Sequence, residues 1–276
     1  MKPTPMIAPR FVEEWPDHTG LPDEDGSHAQ SSLEFPQSNI LYESFEARLK
    51  ELHPDGNYFV SCDMGIYFDY TTPVLAGCRA PDWCYVPGAP AMLNGTFRRS
   101  LVQWKELLRP ALLIEYVGGD GSEERDRTPG KGKFWIYERA IGAGYYAIFD
   151  PERRTLEVFC RQSDGYQPMP PNEAGRFLIE GPNLELGLWH GEYDRCITTW
   201  LRVWNPATGE LIPTVEERIR IAKECTRIAE MRITQAKKRI EVTQRLEDAY
   251  RQQAEFRRQN DQLRATLHAL GIDPDA

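Results

Sequence analysis

Three side chains in this sequence could together cut a phosphodiester bond: Asp82, Glu115 and Lys133. Asp82 closes the triplet Ala80-Pro81-Asp82, immediately before a short apolar run from Trp83 to Val86 that reads as a strand. Glu115 lies inside a second run, Ala111 to Val117, whose unbroken apolar character marks a central strand covered on both faces. A polar loop, GGDGSEERDRTPGKGK, then ends at Lys133, which opens KFWIYERAIGAG, a helix with glycine at its exit. Two carboxylates on neighbouring strands offer hard oxygen ligands to Mg²⁺ or Mn²⁺, and with a nearby ammonium they are the least that metal-assisted phosphodiester hydrolysis needs. An acid within an apolar strand must be paired, protonated or metal-bound, because a lone buried carboxylate is costly. For Glu115 the pairing alternative is a salt bridge to an arginine such as Arg98 or Arg109. For Asp82 it is the ordinary turn chemistry of a Pro-Asp pair. The backbone carbonyl of Tyr116 is a further oxygen ligand for the same ion. Asp126, in the loop, either assists the metal or keeps the loop solvated, and Lys131 competes with Lys133.

The elements that must position these groups can be read from periodicity. NILYESFEARLKEL places Ile40, Leu41, Phe45, Leu49 and Leu52 on one helical stripe, and His53-Pro54-Asp55-Gly56 stops it. NYFVSCDMGIYFDY, rich in aromatic and β-branched residues, reads as one long strand or a hairpin. RRSLVQWKELL reads as a short helix; YYAIFD, TLEVFCRQ and RFLIEG read as strands; WLRVWNPATGELIP reads as a terminal hairpin around Asn205 to Gly209. Helix, strands, helix and strand around a mixed sheet make an α/β core flanked by helices.

Residues 80 to 151 resemble the bacterial restriction-endonuclease family within the PD-(D/E)xK nuclease superfamily. The resemblance extends over 39–213. It rests on Pro81-Asp82, on Arg98 to Trp104 spaced as R-x-x-x-x-x-W, on Pro110 through Glu115, on Lys133 followed by Tyr137, and on GYYAIFDP, all in order. It implies a restriction-endonuclease-like fold, with Asp82 and Glu115 as metal ligands and Lys133 in the catalytic set. The superfamily pattern places lysine two residues after the acid. Here Val117 stands there, and Lys133, four residues before Tyr137, matches a lysine moved to the following helix. Gly118 stands where many relatives have serine. The superfamily often adds an acid from the first helix, which points to Glu43.

After Pro213 the chain changes character. From Thr214, with Glu216 and Glu217 in the first turn, neither glycine nor proline recurs until Gly271. Ile219, Ala222, Thr226, Ala229, Ile233, Ala236 and Ile240 keep 3-4 spacing; a second register runs from Val242 through Leu246 and Phe256 to Leu270, with Asn260 as a register-fixing polar residue. The seam shifts near 240–242, as in a coiled coil with a stutter or a helix folded back on itself. The expected organisation is a disordered acidic leader over 1–38, a nuclease-like domain over 39–213, a coiled-coil helix over 214–270 and a tail over 271–276.

Composition bounds the reading. The chain has 276 residues, 41% hydrophobic and 27% charged, as in a globular protein. Its net charge of -9 weakens non-specific nucleic-acid binding while leaving room for a local basic groove. Residues 1–40 carry seven acids against two bases, whereas 214–270 carry 13 bases against nine acids. The six cysteines form no C-x-x-C pair, which argues against a zinc site and a disulfide framework and favours buried thiols. The absence of an apolar signal-like run at the start leads to the expectation of a cytoplasmic protein without a membrane span. The sequence thus favours a Mg²⁺- or Mn²⁺-dependent DNA endonuclease that dimerises through 214–270. The alternative is an inactive nuclease-like binding or scaffolding module with the same oligomerisation helix.

Overall fold

The first helix, α1, spans Glu34–Leu52 and buries Ile40, Leu41, Phe45 and Leu49, as their spacing predicts. The structure, a computed structural model, describes residues 10–22, 31–93 and 95–271. α1 starts at Glu34 rather than Asn39 because a reciprocal turn leads into it. Leu33 N–H donates to Ser31 Oγ at 3.1 Å, and Ser31 N–H donates to Glu34 Oε1 at 2.9 Å. Pro36 is tolerated because first-turn N–H groups have no intrahelical partner.

Six strands form the main sheet: β1 (Tyr58–Ser61), β2 (Trp83–Pro87), β3 (Leu112–Tyr116), β4 (Tyr145–Asp150), β5 (Thr155–Gln162) and β6 (Gly165–Pro168). They lie side by side in chain order. All neighbours are antiparallel except β3 and β4, which run parallel. A parallel pair needs a long crossover. Here it comprises the 118–132 loop and α2, which runs α-helically over Lys133–Trp135 and with wider π turns over Ile136–Ile141. Gly142, at φ 69°, ends it in the left-handed region. A second antiparallel sheet contains β7 (Phe177–Ile179), β8 (Leu184–Tyr193) and β9 (Cys196–Trp204).

The alternation of each strand divides two cores. Trp83, Tyr85, Leu112 and Ile114 face α1 and the second sheet, where Phe45, Leu186 and Leu201 meet them. Cys84, Leu113, Tyr146 and Ile148 face the other way, against Phe134, Ile136, Tyr137 and Ile141 of α2. The chain is therefore a mixed α/β protein, with its central sheet covered on both faces.

Several expectations need correction. The NYFVSCDMGIYFDY segment is neither one strand nor a hairpin. It splits at Asp63, which takes φ 51°, into β1 and a two-residue strand, Ile66–Tyr67. That strand pairs with Cys78–Arg79 and Leu101–Val102 in a separate small sheet. The leader is not disordered throughout: residues 10–22 form a strap packed on the body. Val12 N–H donates to Trp104 O at 3.1 Å, Trp104 Nε1–H to Pro16 O at 2.8 Å, and Tyr67 OH to Pro22 O at 2.8 Å. Its last stretch, 31–38, forms the turn into α1 and the start of that helix, and 1–9 and 23–30 lie outside the described residues, as does the tail over 272–276. Of the cysteines only Cys78 and Cys84 are buried, and all six are free. The hairpin expected around Asn205 to Gly209 is reduced to a turn closed by one bridge, Trp204 to Leu211, while β9 pairs along its length with β8, which escaped the sequence reading.

The contacts divide the chain into two units, Met1–Thr214 and Val215–Ala276. Among the described residues, the second unit is one unbroken helix, α3, Val215–Ala269, with no buried residue. Its 55 residues extend about 82 Å at 1.5 Å per residue. The helix continues through 240–242, so the shift in apolar register is not a fold-back. No helix among the described residues is long and apolar enough to cross a membrane.

Candidate active site

The antiparallel register of β2 and β3 pairs Trp83 with Ile114. One step further, Asp82 falls opposite Glu115, at the sheet end where β3 leaves for the crossover. The crossover returns through α2, bringing Lys133 and Tyr137 to the same place from successive turns. Lys133 Nζ lies 2.8 Å from Glu115 Oε2, and Tyr137 OH donates to Glu115 Oε1. Tyr116 N–H donates to Asp82 Oδ2. Asp82, Glu115 and Lys133, separated by up to 51 positions in sequence (133 minus 82), thus come together.

Burial sets the electrostatics. Glu115 is 1% exposed, and desolvation raises its pKa even though Lys133 and Tyr137 stabilise the carboxylate. Asp82 is held well above the usual carboxylate range, first by burial and then by the charge of Glu115. For Lys133 burial disfavours the ammonium, but the Glu115 carboxylate outweighs it and raises the pKa. Lys133 therefore stays charged. Burial, followed by the neighbouring Glu115, holds the Tyr137 phenol well above its ordinary range, so it remains a donor. Glu115 is paired, but its partner is Lys133 and not the arginine that the pairing alternative named. Arg98 instead grips Glu106, with Nη1 at 2.7 and 2.6 Å from the two carboxylate oxygens.

Asp82 has a second set of neighbours that the sequence reading missed. Ligand oxygens of Glu34, Asp63 and Asp82 all lie within 4.8 Å of one another. Glu34 comes from the start of α1, and Asp63 from the kinked connection after β1. An all-carboxylate donor set with Asp82 strongly desolvated fits a hard divalent cation such as Mg²⁺ or Mn²⁺. The first-helix acid in this cluster is Glu34, not Glu43, which sits further along α1 and accepts from Asn39 Nδ2 at 3.3 Å. The Ser31-x-x-Glu34 pattern was the available signal. Asp63 had none, since its place depends on the kink that the chain takes after β1. A groove of about 590 Å³ adjoins the cluster, with Glu34, Asp63, Phe35, Ser38 and Tyr42 in its walls.

The remaining candidates lie elsewhere or act differently. Asp126 holds a turn: Oδ1 accepts from Thr128 N–H at 2.8 Å and Oγ1–H at 2.6 Å. That hydrogen bonding lowers its pKa. Lys131 is exposed, and its carbonyl accepts from Arg79 Nη2 at 3.2 Å. Tyr116 meets Asp82 through its N–H, and its OH lies 3.0 Å from Ser38 Oγ.

A family model described as "Putative restriction endonuclease", Uma2, matches residues 29–203. Among the curated proteins none matches. A solved structure from Anabaena variabilis ATCC 29413, a putative nuclease belonging to DUF820, aligns at 14% identity with a TM-score of 0.35, covering 54% of this chain and 74% of that one. The family match spans well over half of the chain, from the start of α1 to the last strand, and includes every residue around Asp82: the chain belongs to the Uma2 family of putative restriction endonucleases.

Proposed function

We propose that this chain is a metal-dependent endonuclease that hydrolyses phosphodiester bonds in DNA, with Mg²⁺ or Mn²⁺ as cofactor and 214–270 as its dimerisation helix. The observation that carries the reading is the joint geometry of Asp82 and Glu115, opposite one another, with Lys133 2.8 Å from Glu115. Asp82 would hold the cation, with Glu34 and Asp63 on one side and Glu115 on the other. When bound, the cation supplies Lewis-acid chemistry, lowering the pKa of a water and neutralising charge on phosphoryl oxygens.

The protein's own groups do the rest. Tyr116 N–H fixes the rotamer of Asp82, and Tyr137 fixes that of Glu115. Lys133 keeps a permanent ammonium beside Glu115, where it orients the attacking water or stabilises the charge gathering on the phosphoryl group. Water attacks phosphorus, the bond to the leaving oxygen breaks, and no covalent enzyme intermediate forms. Plasmid nicking in Mg²⁺ or Mn²⁺ tests this. Cleavage should require metal, stop with EDTA and vanish in Asp82→Ala and Glu115→Ala variants that keep the wild-type circular dichroism spectrum. Equal nicking by those variants, or none by the wild type in either metal, refutes the proposal. The second outcome leaves the inactive binding module, which the net charge of -9 favours.

A further inference from the structure

The strap over 10–22 lies outside the family match, which begins at residue 29. It nevertheless completes a cavity of about 540 Å³, within the range of small-ligand sites. Four aromatic rings wall it: Trp15 from the strap, Phe68, Trp104 and, from α2, Trp135. Trp15 and Trp104 meet edge to face, with centroids 5.4 Å apart. Trp104 is itself fixed by the strap, through the bond from Nε1 to Pro16 O. Two charged side chains share the lining, Arg10 and Asp69. Asp69 Oδ1 accepts from Tyr70 N–H at 2.9 Å, which fixes the carboxylate. Gly130 and Trp135, also in the lining, flank Lys133 in sequence, so the cavity wall and the candidate catalytic lysine share one loop–helix junction.

We propose that this cavity receives a nucleobase bearing an exocyclic amino group, from a free nucleotide or from an unpaired position in a strand. Aromatic walls stack on the flat face of any base. The Asp69 carboxylate accepts from an amino group on the edge of adenine, cytosine or guanine, whereas thymine offers only an N3–H between two carbonyls that repel the carboxylate, so thymine fits worse. A guanidinium in the same lining pairs with the phosphate. The choice of a nucleobase over another planar amino heterocycle rests on the nuclease reading; the cavity and its charges do not.

Tryptophan fluorescence of the full chain in EDTA tests the assignment without any cleavage. Titration with dAMP, dCMP and dGMP should give saturable quenching, with dTMP at least tenfold weaker. Asp69→Asn and Trp135→Ala should each weaken binding at least tenfold. Asp69 is exposed, so Asp69→Asn keeps the test decisive if Trp135→Ala fails to fold. A single-stranded tetranucleotide binding tenfold tighter than its mononucleotide assigns the base to a strand, and equal or weaker binding assigns it to a free nucleotide. No saturable quenching by any of these probes, or unchanged binding by Asp69→Asn, overturns the proposal. Asp82→Ala should bind nucleotides like the wild type. Intact quenching in a protein that nicks no plasmid would therefore remove the nuclease reading alone.

Discussion

Asp82 stands between two carboxylate environments that differ in how their charge is met. On the α2 side, Glu115 has an ammonium on one oxygen and a phenol on the other, so the protein supplies its own neutralisation. On the α1 side, Glu34 and Asp63 crowd the same aspartate, and the donor atoms of the cluster are all carboxylate oxygens. Like charges at such range disfavour joint ionisation unless a cation joins them. The α2 side thus has the makings of a fixed electrostatic frame. Under the proposed function the α1 side would take its cation from solution.

The largest effect expected from breaking this arrangement is at the residue both sides share. Asp82→Asn keeps the acceptor for Tyr116 N–H but loses the charge. Metal-dependent nicking should fall by about a thousandfold, ~4 kcal/mol in the barrier. Stability without metal should move the other way. The folded-state pKa of Asp82 is raised above its unfolded value, so at neutral pH the ionised carboxylate costs folding free energy. That cost grows as pH climbs from the unfolded pKa through the raised folded one. Thermal unfolding in EDTA at pH 7 should therefore show a higher Tm for Asp82→Asn than for wild type. A lower Tm would mean that Asp82 is held by favourable contacts and not in tension with its neighbours.

On the α2 side the frame can be broken without touching Asp82. Lys133→Met leaves Glu115 buried without its counter-charge, and removing one partner of such a pair costs about 3 kcal/mol. Adding Glu115→Gln should recover most of that loss in urea denaturation, to within about 1 kcal/mol of wild type. Additive losses in the double variant would show that the two side chains contribute independently, against the 2.8 Å pairing.

The α1 side gives a smaller effect, with an internal control on the same helix. Glu34→Gln should weaken Mg²⁺ binding about tenfold, ~1.4 kcal/mol, by calorimetry. Glu43→Gln should change it by less than about twofold, because Glu43 is outside the cluster. Equal effects at the two positions would reduce the cluster to general negative potential.

How much of this was legible follows from the range of the forces involved. Glu115 announced itself because an acid in a five-residue strand with every residue buried violates the local pattern. Lys133 and Tyr137 were legible through the family resemblance, which sets them four residues apart on the helix after the polar loop. The core of α1 could be read from its stripe, yet its start could not, because the apolar period begins after the polar turn that caps it. Asp63 was invisible: its position depends on a positive-φ residue that redirects the chain between two sheets. The strap over 10–22 looked disordered by composition, since its anchors are single aromatic residues and backbone bonds with no period to detect. β8 was missed because its glycines, Gly187 and Gly191, interrupt the alternation.

α3 presents an apolar surface that needs a partner as the carboxylates would need a cation. Ile219, Ile233, Ile240, Val242, Leu246, Phe256 and Leu263 are all exposed on a helix with no buried residue. An isolated helix gains little from propensity alone, and an apolar seam in water calls for a partner seam. Under the proposed function a second copy of the chain would meet that need, with Asn260 as the register-fixing residue. Ile233→Glu together with Ile240→Glu should halve the mass measured by sedimentation equilibrium, relative to a dimeric wild type. The effect on chemistry should be the smallest of those considered, since neither substitution is near Asp82 in the sequence or among the residues around it. Nicking of one strand should change by less than about twofold. Linearisation of the plasmid should fall relative to nicking, because cutting both strands at one place draws on two active sites. A monomeric wild type would remove the dimer and leave the seam for a different helix. A dimeric variant with unchanged mass would move the interface away from this seam.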